Sequence, residues 1–229
     1  MEVFDCIKTR RSVRKFQKKE VSWDNVSMIL DAGRLASSAG NLQNWKFIVV
    51  LDEAKRQAVA EACVKQLWLA EAPVQIIIVG EPEKAKRFYG ERGANLYTAQ
   101  NCAAAAQNML LEAHNLGLAG CWVGAFEENA IRRIFGMPSE VIPYVIIPIG
   151  HPDEKVGEPA KFPIENVTYF NNWRGKVKDV PAYFNYYSHH VHAGAKKVKE
   201  AAKKSGKTAV EKAKQVASKI KDKLKEKNT

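Results

Sequence analysis

Residues 95–116 constrain the fold more than any other segment. They contain no proline or glycine, are rich in alanine, leucine and methionine, and are followed by Gly117, so they predict one long helix with a glycine at its C′ position. The run Cys-Ala-Ala-Ala-Ala at residues 102–106 has almost no side-chain bulk, so the backbones of other helices can approach closely. We therefore expect this helix at the centre of the fold or of a dimer interface.

Helical and strand-like patterns alternate before this segment. Ser22 can cap a helix whose apolar stripe has helical spacing: Val26, Ile29, Leu30, Gly33 and Ala36. Residues 47–51 are a short apolar run, as expected for a strand buried on both faces. A helix over residues 53–67 follows, with its inward residues at Ala58, Val59, Ala62 and Cys63. Pro73 then precedes a second strand at residues 74–80.

After the long helix the pattern predicts a strand at residues 121–123, a short helix at 127–135 followed by Gly136, and a strand at 144–149. Because Pro148 cannot donate to a ladder, we expect the last strand to end there or to lie at an edge. Residues 151–173 have no periodicity but keep large apolar side chains. This segment either wraps its own domain or reaches onto a partner subunit.

The positive charge is concentrated near the end of the chain. The formal charge is +11, but residues 188–229 hold 13 lysines and 4 acids, a net +9, which leaves +2 for residues 1–187. We predict one domain at 1–187 and a Lys-rich tail at 188–229, either a marginal amphipathic helix or disordered. A solvated tail is one interpretation, and weak electrostatic binding to anionic membrane or nucleic acid is the other.

The four cysteines occur singly among apolar neighbours, which predicts reduced, buried thiols and no zinc site or disulfide framework. We expect no metal site, although His189, His190 and His192 form a cluster that could hold a metal weakly. No run approaches the roughly 18 apolar residues of a membrane span, and the N-terminus lacks the order of a signal peptide. We expect a cytoplasmic protein.

Three stretches carry candidate binding chemistry. If residues 10–16 are extended, Arg10, Ser12 and Arg14 share one face and offer two guanidinium groups and a hydroxyl, which suit a phosphate. A solvated basic strand is the alternative. Residues 36–45 lie between a helix and a strand and combine small residues with amides that can read the polar edge of a ring system. An ordinary polar loop is the alternative there.

The third stretch, residues 117–125, contains three glycines after a helix and along a strand. The dinucleotide-binding fingerprint needs a strand before its glycines and a helix after them, so this order disfavours a Rossmann site. A Walker-type phosphate loop does not occur in the sequence.

Taken together, the three stretches resemble the nitroreductase family in order and spacing, as do the later runs at residues 148–152 and 162–167. The resemblance covers about residues 1–173. It implies an α+β fold with a mixed, mostly antiparallel sheet flanked by helices, and an intertwined homodimer with FMN bound between the subunits.

The resemblance also implies cofactor-binding residues. The residues implied to bind the phosphate and the ribityl chain are Arg10, Arg11, Ser12 and Arg14, with Lys161 as a second cation for the phosphate. Ser37, Ser38 and Asn41 match the loop that reaches the flavin from the other subunit. Val123, Gly124 and Ala125 match the strand end near the flavin N5, whereas Gln43 and Trp45 are interpreted as structural. We expect no catalytic side chain, because the flavin carries the hydride chemistry.

Three residues depart from the family pattern. Ser37 and Asn44 stand where proline is common, and Asn101 stands where many members carry an acid. The departures bear on subfamily and substrate, and they remove no phosphate or ring contact.

The implied function is a ping-pong reductase that passes hydride from NAD(P)H through the flavin N5 to an electron-poor acceptor such as a nitroaromatic or quinone. One alternative is an FMN enzyme with another donor and one dedicated substrate. The other is a flavin-binding protein docked to membrane or nucleic acid through its basic tail.

Overall fold

The computed structural model describes residues 1–176, and Met1–Pro159 form one compact unit while Ala160 begins a second. The predicted boundary at residue 187, the basic tail and the histidine cluster lie outside the described residues. The elements of the first unit, in chain order, are α1 Val3–Thr9, α2 Trp23–Arg34, β1 Trp45–Val50, α3 Glu53–Ala62, β2 Val74–Gly80, α4 Pro82–Arg92, α5 Thr98–Asn115, β3 Ala119–Gly120, α6 Glu128–Phe135 and β4 Ile142–Gly150.

The four strands form one antiparallel sheet in the order β1-β2-β4-β3. The inner strand β2 is buried on both faces, so its alternate residues enter two different cores. Ile76 and Ile78 pack with α2 and α5, whereas Ile77 and Val79 pack with α3 and α6. Helices therefore cover both faces of the sheet, and the predicted α+β fold is confirmed.

Helix α5 is the central helix predicted from its small residues. Its buried residues include Cys102, Ala105 and Ala106, and it contacts α2 and strands of the sheet. Gly117 follows the helix with a φ of 74°, and the N–H groups of Gly117 and Leu118 donate to the carbonyls of His114 and Ala113. These two bonds form a Schellman motif, so the predicted C-terminal glycine is confirmed. The α-helix begins at Thr98, after a π-helical turn Gly93–Tyr97.

Helix α2 confirms the predicted cap and stripe. The Oγ of Ser22 accepts the N–H of Asn25 at 3.3 Å, and Val26, Ile29 and Gly33 are buried. Helix α6 likewise stops before Gly136, which has a φ of 60°.

The predictions for the first and the last strand were wrong. Strand β1 lies at the edge of the sheet, so Lys46 is exposed and residues 47–49 are only half-buried. Strand β4 continues through Pro148 to Gly150 between β2 and β3. Ile146 and Val123 exchange two backbone hydrogen bonds, so the N–H of Ile146 points towards the β3 side of the strand. In a strand, residues two apart point their backbone groups to the same side, so the nitrogen of Pro148, which has no hydrogen, also faces β3. Pairing with β3 is short there.

Two helix predictions also need correction. Helix α3 ends at Ala62 and not at residue 67, because the carbonyl of Ala62 accepts the N–H of Glu127. In addition, Val64 and Lys65 adopt left-handed conformations, which do not continue a helix. Helix α4 was not predicted. Apart from Pro82, its only buried residue is Ala85, so it has almost no apolar stripe.

The four cysteines are free and buried, as predicted. None of the helices in residues 1–176 is long and apolar enough to span a membrane.

Candidate functional site

Residues 10–17 cross the end of the sheet as an extended segment, which is the condition on which the proposed phosphate site of residues 10–16 depended. Ser12 forms a parallel bridge with Gly120, and the N–H of Val13 donates to the Gly120 carbonyl at 3.2 Å. Further along, Phe16 forms an antiparallel bridge with Pro152. Val13 and Phe16 are buried, so they anchor the segment and leave the intervening polar side chains towards solvent.

The three arginines of this segment are held differently. Arg11 donates from Nη1 to the carbonyls of Lys8 and Arg10 at 2.7 and 2.9 Å, which satisfies backbone at the end of α1. Arg10 is half-buried, and Arg14 lies with its guanidinium carbon 5.9 Å from the ring centre of Trp68. Among residues 1–176, neither Arg10 nor Arg14 has a carboxylate partner for its guanidinium group. Both cations are therefore available to an anion.

The pKa of Cys121 is affected by the positive charge at this end of the sheet. Burial raises the pKa of its thiol, while Arg14, the adjacent Ser12 hydroxyl and Arg10 act in the opposite direction. Glu154 adds a smaller upward effect, and its Oε1 accepts the backbone N–H of Arg14 at 2.6 Å. The predicted basic segment therefore faces the start of the stretch 121–125.

The predicted strand 121–123 is displaced, since β3 is Ala119–Gly120 and Val123 forms a single bridge with Ile146. The N–H of Val123 donates to the Ile146 carbonyl at 3.0 Å. Gly124 and Ala125 are exposed, and in the described part of the chain no acceptor meets their N–H groups. A Cβ added at Gly124 would meet no atom closer than 3.6 Å, so the surface there is open. Gly124 and Ala125 thus offer free and exposed backbone donors in this stretch.

The loop of residues 37–43 joins α2 to β1 and has an unusual backbone. Gly40, Asn41 and Gln43 all have positive φ, at 53°, 56° and 47°. The Oγ of Ser38 accepts the N–H of Gln43 at 3.1 Å, so the Ser38 hydroxyl keeps its own proton to donate. Ser37 and Asn41 are exposed.

Within one chain, the basic segment and this loop lie at opposite ends of α5. The loop is tied to Asn101 of α5, whereas α1, which leads into the basic segment, contacts α5 at Leu111 and His114. Ten residues of helix separate Asn101 from Leu111, or about 15 Å along the axis. The structure thus brings Arg10, Ser12 and Arg14 together with residues 121–125, and it does not bring the loop to them.

Trp45 is buried and stacks with Phe47, with 6.4 Å between the ring centres, which agrees with the structural role expected for it. Gln43 is exposed. Lys161 is exposed in the second unit. The sequence interpretation missed Trp68, which lies beside Arg14. No local pattern could have found it, because 54 residues separate Trp68 from Arg14 in the chain and only the tertiary fold joins them.

Comparisons with known proteins show which family the chain resembles. Residues 7–71 and 57–151 match the sequence model of the Nitroreductase family. The chain is 37% identical over 163 residues to a Methanothermobacter thermautotrophicus protein whose assigned name pairs NADH dehydrogenase with NAD(P)H nitroreductase. That alignment covers 69% of this chain and 81% of the relative.

Two further relatives are informative. An NADPH-flavin oxidoreductase of Vibrio harveyi is 25% identical over 187 residues, which cover 78% of each chain. The solved structure of an FMN-dependent nitroreductase from Clostridium difficile R20291 has a TM-score of 0.65 and 29% identity, over 74% of this chain and 99% of that one.

Proposed function

The chain belongs to the nitroreductase family, and we propose on this basis that it passes hydride from NAD(P)H to an electron-poor acceptor of the nitroaromatic or quinone type, in ping-pong order. At the coarser level it is an NAD(P)H-dependent flavin oxidoreductase with FMN as its cofactor. The observation that supports flavin chemistry at this site is the pairing of Ser12 with Gly120, which joins two free guanidinium groups to the open stretch of residues 121–125.

The residues at this site fit FMN. A phosphate needs cations and hydroxyls, and Arg10, Arg14 and Ser12 offer them without a competing carboxylate on either guanidinium group. A flavin ring needs a flat, open approach with donors, and the free N–H groups of Gly124 and Ala125 supply these. Lys161 is proposed as a second phosphate cation, and Arg11 and Val123 support their neighbours through backbone bonds.

The loop of residues 37–43 is proposed to act on the partner subunit's flavin. Its position at the far end of α5 from the basic segment supports this arrangement, in which each site takes Arg10, Ser12 and Arg14 from one chain and Ser37, Ser38 and Asn41 from the other. The active form is then a homodimer.

Exposed apolar side chains in the second unit support the same arrangement. Phe162 and Trp173 are each 81% exposed, and Val167 is 66% exposed. Side chains of this size are stabilised by burial, and a second copy of the chain would supply the surface that buries them.

When bound, the flavin supplies the hydride-accepting and hydride-donating atom, so no protein nucleophile is required. The protein's part is to bind, orient and exclude water. Arg10 and Arg14 would hold the phosphate, and Gly124 and Ala125 would offer backbone N–H groups to the ring. These N–H groups would stabilise negative charge on the ring when it is reduced.

Anaerobic titration tests this proposal. The purified protein, saturated with FMN, is expected to lose its visible flavin absorption within seconds on addition of NADH or NADPH, and to regain it when a quinone or nitroaromatic is added. A chain that binds FMN but is bleached by neither nicotinamide would favour the alternative of another donor and one dedicated substrate.

A further inference from the structure

A buried hydrogen-bond network connects the loop of residues 37–43 with the central helix. Asn101 on α5 accepts the N–H of Ala39 at its Oδ1, at 3.0 Å, and donates from Nδ2 to the Oδ1 of Asn44 at 2.7 Å. Asn44 in turn donates from Nδ2 to the Oγ of Thr98 at 2.9 Å and to the Glu81 carbonyl at 3.2 Å. Asn44, Thr98 and Asn101 are at most 4% exposed.

The network has only one consistent direction. The Glu81 carbonyl can only accept, so it fixes Nδ2 of Asn44 on its side and turns Oδ1 towards Asn101. Asn101 must then present its Nδ2 to Asn44, which leaves its own Oδ1 for the N–H of Ala39. The hydroxyl of Thr98 is likewise directed, since it donates to the Gly93 carbonyl at 3.0 Å. Asn44 therefore sets the orientation of Asn101.

The loop needs such an anchor because its backbone is strained. Asn41 and Gln43 are non-glycine residues with positive φ, a conformation that persists only where the surroundings hold it. The bonds among Ser38, Asn41 and Gln43 lie within the loop itself. In residues 1–176, Asn101 is the one side chain outside the loop that hydrogen-bonds to its backbone.

We propose that Asn101, oriented by Asn44, is a positioning residue that holds Ser38 and Asn41 where they meet the flavin ring. The inference rests on the proposed function, because it assumes that this loop contacts the ring. It also gives a role to two positions that depart from the family pattern, since the two residues bond to each other. The pair acts through the loop and touches no flavin atom itself.

Flavin titrations of the full chain test the proposal. FMN and riboflavin share the ring and differ in the phosphate, so a loop that contacts the ring affects both equally. Asn101→Ala and Asn101→Asp are each expected to raise the Kd for both flavins about tenfold, which leaves the FMN to riboflavin affinity ratio unchanged. Asn101→Asp keeps the acceptor for Ala39 and loses the donor to Asn44, so it tests the pair directly.

Asn108→Ala is the matched control. Asn108 lies two turns further along α5, is half-buried, and donates to the Ala32 carbonyl at 3.1 Å, so its loss removes a comparable bond that does not involve the loop. This variant is expected to bind both flavins within about twofold of wild type. The double variant Asn44→Ala with Asn101→Ala is expected to match Asn101→Ala alone, because Asn44 acts through Asn101.

Wild-type affinity in Asn101→Ala would overturn the proposal, as would a loss confined to FMN or an equal loss in Asn108→Ala. Additive effects in the double variant would show that the two asparagines act separately. If the wild-type chain binds neither flavin, the proposed function fails first and this inference fails with it.

Discussion

The guanidinium groups of Arg10 and Arg14 have no carboxylate partner within residues 1–176, although these two positive charges lie close together in the chain. The Trp68 ring holds Arg14 by a cation–π contact, and the half-burial of Arg10 itself limits its mobility. A guanidinium group that is held in place but unpaired loses little side-chain freedom when it binds a phosphate.

Arg10→Ala and Arg14→Ala are each expected to weaken FMN binding at least about tenfold, because each removes a charge-assisted contact worth on the order of 1.5–3 kcal/mol. Riboflavin binding should not change, since riboflavin has no phosphate. The measurement is flavin titration, with Arg34→Ala as control because, among residues 1–176, Arg34 pairs only with the exposed Asp31. FMN affinities equal to wild type in both variants would falsify the phosphate assignment.

His114 couples the end of α5 to the basic segment. Its Nε2 lies 2.8 Å from the Oγ of Thr9, and burial, then the charges of Arg10 and Arg11, lower its pKa from the ordinary value of 6.5. The unfolded chain therefore binds more protons than the folded chain as pH falls below about 6.5. The contribution of neutral His114 to the free energy of unfolding is therefore fully present above about pH 6.5, and it is lost as the pH falls towards the lowered pKa.

Urea unfolding between about pH 5 and pH 7.5 checks this prediction. His114→Gln removes the titrating group, so its unfolding free energy should vary less with pH than that of wild type over this range. Parallel pH profiles for the two proteins would contradict the assignment.

At the scale of elements, Gly120 is where the basic segment meets the sheet. A Cβ at this position would lie 2.8 Å from the Pro148 carbonyl oxygen and 2.9 Å from Cδ1 of Ile149. The carbonyl belongs to the backbone of β4 and cannot move without the strand. The close approach of these two backbones therefore requires glycine.

Gly120→Ala is expected to lower the free energy of unfolding by roughly 1–3 kcal/mol and to weaken FMN binding, because Ser12 must move with Gly120. Gly157→Ala is the control, since its added Cβ meets no atom within 4 Å, and it should stay within about 0.5 kcal/mol of wild type. Denaturant unfolding and FMN titration of both variants measure the difference. Equal stability of the two variants would contradict the packing argument.

At the scale of the whole molecule, the second unit and the partner subunit are linked in the proposed homodimer. A chain ended at Ala160 lacks Lys161, Phe162 and Trp173, so we expect it to be poorly soluble and free of flavin. Light scattering and the visible spectrum are the measurements. A soluble, yellow monomer would exclude the proposed role of residues 161–173 in dimerisation.

The basic tail allows a separate test of what the first 187 residues do. A chain ended at residue 187 is expected to keep FMN, dimerise and turn over at the full-length rate. The full-length chain, with net charge +9 in residues 188–229, should bind anionic vesicles or DNA weakly at low ionic strength and release them near physiological salt. Activity assays and co-sedimentation across a salt series measure both. Lost activity on truncation, or binding that persists at high salt, would contradict this prediction.

The sequence by itself determined the features that depend on neighbours along the chain. Ser22 caps α2 because the backbone N–H that its hydroxyl accepts lies three residues away, and Gly117 and Gly136 end helices because only the local φ matters there. The strand predicted at residues 74–80 is β2, with the same bounds. The extended basic segment of residues 10–16 also came from a local pattern, together with the family resemblance.

Tertiary structure alone decided the features whose hydrogen-bond partner is distant in sequence. Helix α3 ends early because the Ala62 carbonyl bonds to Glu127, and Pro148 is tolerated inside the sheet because the pairing strand β3 is short. Asn44 and Asn101 are 57 residues apart, so no local pattern indicates that they bond. Each of these groups must find a partner once it is buried, and which partner it finds depends on how the helices pack on the sheet.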